Sequence, residues 1–226
     1  MELKEAVARE AVKLVRDGTV VGLGSGSTAS IAIRLIGDRV REESLDITGV
    51  PTSTASERLG MESGIRIGTL DEHPEVDITI DGADEVDPRL DLVKGLGGAL
   101  VREKMVAVAT GLEVIVVDES KMVDHLCQKV PLPVEIVRFA HLATMRRLRA
   151  LGSEPVLRLR NGEPFVSDNG NYIADCRFGK VEDAKTLEAE LNLIPGVVDN
   201  GLFVGLADRV FVASEDGVRT LNRTTQ

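Results

Sequence analysis

What most constrains this chain is an alternation. Short apolar runs end in turns of glycine, serine, threonine or aspartate, and each turn leads into residues with helical spacing. Thr19-Val20-Val21 runs into Gly22-Leu23-Gly24-Ser25-Gly26-Ser27, where Ser27 is placed to cap a helix from Thr28 to Ile36. Leu45–Val50 reads as the next strand, Thr54 with Glu57 as a capping box, and Ala55–Ser63 as a short helix. Ile65–Ile67, Val76–Ile80 and Glu113–Val117 are further strands, and Gly98–Ala109 is helical. Ahead of them, Leu3, Val7, Ala11, Leu14 and Val15 form a helical stripe that stops at Asp17-Gly18. Strands alternating with helices imply an α/β fold: an open, mostly parallel, Rossmann-like sheet with helices on both faces.

The texture changes at Val130-Pro131-Leu132-Pro133, a double-proline joint that suits a domain boundary. Beyond it, Val134–Val137 and Pro155–Arg160 read as strands, and Ala140–Leu151 and Val181–Leu191 as helices. Phe165–Asp168 and Tyr172–Phe178 read as a hairpin around Asn169-Gly170, with a last strand near Gly196–Asp199. That order is close to βαββαβ, a smaller α+β domain of the ferredoxin-like, split βαβ type. Arg209–Ala213 is one more buried strand that returns to the first sheet. The expected division is therefore 1–130 with 205–226 for the larger domain and 131–204 for the smaller.

The formal net charge of −10 over 226 residues repels nucleic acid and anionic membrane surfaces, so an anionic ligand must be held by local groups. Cys127 and Cys176, the only cysteines, lie far apart, which fits neither a disulfide framework nor a thiolate metal site and suits a reducing, cytoplasmic setting. The opening MELKEAVAREAVKLV is too charged for a signal peptide, and no run approaches the roughly 20 apolar residues of a membrane span. The expected partner is a small molecule, with no role for nucleic acid or membrane.

In open parallel sheets, ligands bind beyond the carboxyl ends of the strands. Gly22–Thr28, Pro51–Thr54, Asp81–Asp84 and Asp118–Lys121 all end strands here, and are expected to share one rim. Gly22–Thr28 lacks the third glycine of a dinucleotide fingerprint, where Ser27 stands, and no lysine precedes Thr28 as a P-loop requires. Its glycines admit backbone N–H groups to a ligand, a helix N-terminus follows, and Ser25, Ser27 and Thr28 add hydroxyls. A phosphate is the economical ligand; a purely structural turn is the alternative.

The stretch Ile80–Lys104 gathers most of the remaining reactive groups. Asp81 and Asp84 suit one pocket, an Asx-type turn, or an all-carboxylate magnesium site, whereas His73, His125 and His141 show no ligand spacing. Lys94 precedes Gly95-Leu96-Gly97-Gly98. Glu103 lies in a helical pattern whose apolar side is marked by Leu100, Val101, Met105 and Val108. It either projects beside them toward a cavity or joins Arg102 and Lys104 in a surface charge cluster. Lys121 is a second anion contact or an ordinary solvated lysine, and Glu85 and Asp87 read as turn or surface residues.

In this order and at these spacings, GLGSGSTAS, IDGADEVDP, KGLGGALVREK and VDESK resemble the type A ribose-5-phosphate isomerase family. The resemblance spans nearly the whole chain; Leu96 stands where the family usually has glycine, and Ser25 where it often has threonine. It implies interconversion of D-ribose 5-phosphate and D-ribulose 5-phosphate, in the non-oxidative pentose phosphate route, by a homodimer or higher homo-oligomer that uses neither metal nor organic cofactor. Under it Glu103 is the base that moves a proton between two carbons through a cis-enediolate. Lys94 and the backbone N–H groups around Gly95, Leu96 and Gly97 stabilise the charge. Asp81 and Asp84 hold sugar hydroxyls, and one of them assists ring opening or proton transfer between oxygens. Ser25, Gly26, Ser27, Thr28, Gly82 and Ala83 line the site, with Lys121 as a further contact. Two other classes compete: a non-catalytic sugar-phosphate sensor, which would lack the base, and a coenzyme A transferase relative, which would use a glutamate on a similar scaffold. The chain shows no basic helix-turn-helix and no long nucleotide-binding extension.

Overall fold

The computed structural model describes residues 2–223. They form two compact units, the first comprising the chain up to Ala83, Arg102–Met122 and the chain from Gly205 onward, the second Asp84–Val101 and Val123–Val204. Among the described residues no helix is long and apolar enough to cross a membrane.

The first unit is built on a seven-stranded sheet in the order 217–222, 209–214, 113–118, 78–81, 20–23, 48–51, 66–67. Every neighbouring pair is parallel except the outermost, Gly217–Asn222 on Arg209–Ser214. Successive strand residues face opposite sides of the sheet, and the apolar runs serve both. Val21, Leu23, Ile78, Ile80, Val114 and Val116 pack on one face with Val7, Ala8 and Ala11 of helix α1 (Glu2–Val12) and Ala32, Ile33 and Ile36 of helix α2 (Ser27–Glu43). Helix α3 (Thr54–Glu62) follows the second strand of the sheet. Helix α4 (Leu100–Val108) sets Val106 against Val50, Val76 and Val20. Helices thus cover both faces, as the alternation requires.

Two helix boundaries differ from those expected. Helix α2 continues past Ile36 to Glu43, because Gly37 is a packing position: a Cβ there would lie 2.4 Å from the Ser63 carbonyl oxygen. A glycine inside a helix costs about 1 kcal/mol relative to alanine. Arg39, in the added turns, offsets that by donating from Nη1 to the carbonyls of Val12, the last residue of α1, and Val15 at 2.6 and 2.9 Å. At α3 the N-cap is Ser53 rather than Thr54; Ser53 and Ser56 form the reciprocal capping box, and Glu57 takes no part in it.

The second unit contains a four-stranded antiparallel sheet in the order 197–200, 132–136, 172–177, 154–157. With helices α5 (His141–Ala150) and α6 (Ala184–Asn192) the chain order is βαββαβ, the split-βαβ arrangement. Leu132, Val134, Ile136, Ala174 and Cys176 form one face with Leu148, Leu187 and Leu191. The Asn169-Gly170 turn forms, with Ser167 N–H donating to Asn171 O at 2.9 Å, but its first strand shrinks to the single bridge Val166–Tyr172.

A small antiparallel sheet pairs Leu92–Val93 with both Glu85–Val86 and Leu202–Phe203. This pairing draws residues 84–101 into the second unit, whereas the sequence reading assigned them to the first. The double proline is no linker either, since Pro133 lies inside the strand Leu132–Ile136 and the chain passes between units at Met122 and Val123.

Candidate active site

In the first unit, four loops leave one edge of the parallel sheet. Leu23 is aligned with Pro51 on one side and Ile80 on the other, Asp81 with Ile115, and Asp118 with Ala213. Asp81, 1% exposed, is fixed on this rim: its Oδ1 accepts the N–H of Ser25 at 2.9 Å and of Gly82 at 2.7 Å. Gly24 allows the approach, because a Cβ there would lie 2.4 Å from that same Oδ1. The Ser25 hydroxyl is hydrogen-bonded to those of Thr52 and Ser53 at 2.8 and 2.7 Å, so it ties two rim loops together.

The helix that follows opens without a side-chain cap. Gly26 is the N-cap of α2, in the left-handed region at φ 94°, and no side chain takes the first-turn N–H groups. Lys4, on α1, donates from Nζ to Ser27 Oγ at 2.8 Å. A cation at a helix N-terminus opposes the macrodipole, so the pairing makes electrostatic sense as the wall of an anion site. On the last rim loop Asp118 accepts the Ser120 N–H at 3.0 Å and caps the 3-10 turn Glu119–Lys121, which carries the half-buried Lys121.

Glu103 sits in the first turn of α4 and is 6% exposed. Its helix neighbours on the buried side are Lys104, Val106 and Ala107, while Met105 and Val108 are 56% and 68% exposed. The expected apolar side was therefore misplaced, because helix propensity and hydropathy alone favoured Met105 and Val108 over a pair of charges. Glu103 is not part of a surface charge cluster.

In the second unit the loop after Val93 is tightly held. Lys94 is 2% exposed, with its N–H donating to Gly201 O at 2.9 Å and its Nζ 5.4 Å from the centre of the Phe203 ring. Asp84 Oδ2 accepts the Leu96 N–H at 2.9 Å, and Gly98 N–H closes the turn onto Gly95 O at 3.0 Å. Leu100 anchors the end of the loop against Phe165 and Ile173.

Comparison with known proteins identifies what this arrangement belongs to. The family model of ribose 5-phosphate isomerase A (phosphoriboisomerase A) matches residues 48–217. The chain is 51% identical over 220 residues to ribose-5-phosphate isomerase A of Gloeobacter violaceus, covering 97% of this chain and 95% of that one. The chain belongs to the ribose 5-phosphate isomerase A family. Among solved members, that of Methanocaldococcus jannaschii is 47% identical with a TM-score of 0.94, each chain 98% covered. A D-ribose-5-phosphate isomerase in complex with phospho-erythronic acid is 42% identical with a TM-score of 0.96, again with 98% of each covered.

The candidate residues divide between the two units. Ser25, Gly26, Ser27, Thr28, Asp81, Gly82, Ala83, Glu103 and Lys121 fall in the first unit; Asp84, Lys94, Gly95, Leu96 and Gly97 in the second. Of Glu85 and Asp87, expected in turns or at the surface, neither is at the surface, at 0% and 3% exposed, and Asp87 holds a turn. Glu85 Oε1 accepts the N–H groups of Lys129 and Val130, and Asp87 Oδ1 those of Arg89 and Asp91. Lys4, which meets Ser27 at the start of α2, carries no signal in the sequence that would single it out. Cys127 and Cys176 take no part, since burial pushes both thiols up to about 12 and leaves them protonated at neutral pH.

Proposed function

We propose that this chain interconverts D-ribose 5-phosphate and D-ribulose 5-phosphate through a cis-enediolate, with Glu103 as the base. The observation that carries the assignment of the base is its burial at the first turn of α4, 6% exposed in a family member matched almost end to end. An aldose becomes a ketose when the proton on C2 leaves to a base and returns to C1, while the hydroxyl proton on O2 passes to O1. A carboxylate within reach of both carbons performs the carbon transfer, and shielding from water keeps the abstracted proton from exchanging away. Lys94 and the N–H groups of the Gly95–Gly97 turn stabilise the enediolate oxygen. Asp81 and Asp84 hold the sugar hydroxyls and serve the oxygen-to-oxygen proton transfer.

The phosphate sits at the N-terminus of α2, where Ser27 and Thr28 offer N–H and hydroxyl donors and Lys4 supplies charge; Lys121 is a further anion contact. The phospho-erythronic acid bound by a relative pairs a phosphate with a planar carboxylate, an anionic counterpart of the planar enediolate. The protein works in the cytoplasm as a homodimer or higher homo-oligomer, without metal or organic cofactor.

The test is Glu103→Gln, assayed for ribulose 5-phosphate formation and for binding of ribose 5-phosphate. Binding is retained and turnover is nearly abolished. Near-normal turnover removes Glu103 as the base, and a wild-type protein that binds the sugar phosphate without converting it is a sensor, not an isomerase.

A further inference from the structure

The loop from Lys94 to Gly98 is set from behind by Arg158. Its Nη1 donates to the carbonyls of Gly95 and Leu96 at 3.1 and 2.9 Å. Its Nε donates to Asp175 Oδ2 at 2.9 Å and its Nη2 to Oδ1 of the same carboxylate. The Arg158 side chain is 13% exposed and that of Asp175 23%. The guanidinium also lies 5.8 Å from the centre of the Phe165 ring, which fills the space beside Gly98: a Cβ on Gly98 would lie 2.5 Å from two ring carbons. The Arg158 backbone is fixed in turn, its N–H on Ile173 O at 2.8 Å and its carbonyl accepting Phe165 N–H at 2.9 Å.

These contacts orient peptide planes. In a trans peptide the C=O and the following N–H point in opposite directions, and the described residues contain no cis bond. With Gly95 C=O held by Arg158, the Leu96 N–H must point away from it, and it meets Asp84 Oδ2 at 2.9 Å. The same Nη1 holds Leu96 C=O, so the Gly97 N–H also points away from Arg158. Gly97 is exposed, and among the described residues no protein group accepts that N–H. We infer that Arg158, locked by Asp175, is a positioning residue that aims the Gly97 N–H and the Asp84 carboxylate at the reacting sugar oxygens. A lysine cannot replace it, because only the planar guanidinium reaches two carbonyls and a bidentate carboxylate at once. This inference rests on the isomerase reading above.

The experiment compares wild type, Arg158→Ala, Arg158→Lys and Asp175→Asn in ribulose 5-phosphate formation, with amide hydrogen exchange at Leu96. Misplacing a catalytic donor by an ångström costs roughly 100-fold, so Arg158→Ala is expected to lose about that factor in kcat with KM within about threefold. Arg158→Lys recovers little of it, Asp175→Asn loses a smaller factor, and added methylguanidinium restores part of the Arg158→Ala turnover. Exchange at Leu96, whose N–H is held by Asp84, accelerates while the thermal midpoint records whether the fold survives. Should Arg158→Ala fail to fold, Arg158→Lys carries the same comparison. An active wild type whose folded Arg158 variants keep kcat within about threefold, or change KM alone, overturns the positioning role and leaves the isomerase reading standing. A wild type without isomerase activity fails that reading, and unaltered exchange at Leu96 in the variants independently fails this one.

Discussion

Gly24→Ala tests whether Asp81 is held in its working position by close contact between two strand ends. The added methyl would lie 2.4 Å from Asp81 Oδ1 and 2.4 Å from the Ile80 carbonyl oxygen. Carbon and oxygen settle at no less than about 3.3 Å, so the loop or the carboxylate must retreat by about 1 Å. The strands cannot part to make room, because Leu23 and Ile80 are paired in register. Overpacking of this kind costs about 1–3 kcal/mol. At this chain length each kcal/mol moves the melting midpoint by roughly 2–4 °C, giving a fall of about 2–12 °C. A displacement of an ångström at a group that orients substrate lowers turnover by about 100-fold, equivalent to about 2.7 kcal/mol on the barrier. The control is Gly22→Ala on the same strand. Its methyl would lie 1.9 Å from Thr79 Oγ1, a clash as severe but away from Asp81, so it should lose stability and retain most of its turnover. The assay is ribulose 5-phosphate formation well below both midpoints, with thermal unfolding in parallel. Equal activity losses in the two variants would refute the reasoning, as would a Gly24→Ala protein with wild-type kcat.

Replacing Lys4 with methionine removes the cation from the α2 N-terminus. A charge-assisted hydrogen bond of about 1.5–3 kcal/mol predicts a KM for ribose 5-phosphate raised roughly 10- to 100-fold with kcat little changed, measured by steady-state kinetics at constant ionic strength. The cysteines give a pH dependence. Burial raises both thiols from 9.0 to about 12, so between those values the unfolded chain releases protons that the folded chain keeps. Stability from this source is therefore intact below pH 9 and falls as pH rises toward 12, by up to about 1.4 kcal/mol per unit for each thiol. Denaturant midpoints measured from pH 8 to 10.5 check the slope, which should shrink in Cys127→Ala; rapid alkylation of the native thiols at pH 8 would contradict their burial.

Much of the fold was legible because both faces of a parallel sheet are covered, which turns each strand into a short apolar run between turn residues. The unit boundary was not legible. Residues 84–101 join the second unit through two-residue strands, Leu92–Val93 on Leu202–Phe203, and pairs that short and that distant in sequence leave no periodicity to read. The extent of α2 was hidden for a related reason: a glycine that ends a helix and a glycine that lets another chain segment approach are the same letter. Gly37 is the second kind, and only the position of Ser63 reveals it.

Burial does not by itself separate chemical carboxylates from structural ones here. Asp81, Glu85, Asp87, Glu103 and Glu135 are all less than a tenth exposed. A buried carboxylate must be answered by donors, and the donors say what it is for. Glu85 accepts two consecutive backbone N–H groups, at Lys129 and Val130, and thereby closes the loop that enters the strand Leu132–Ile136. Asp87 folds its own turn through Arg89 and Asp91, and Glu135 collects Ser167, Asn169 and Asn171 from one hairpin. Each of these carboxylates organises chain of the second unit. Asp81 is different: its donors, Ser25 and Gly82, belong to two loops that leave the carboxyl rim, where the topology of an open sheet gathers ligands. The sequence places Glu85 in a turn or at the surface, whereas the structure buries it at 0% exposed. Glu85 is set aside because its buried donors occupy it in holding a loop, not because it is at the surface.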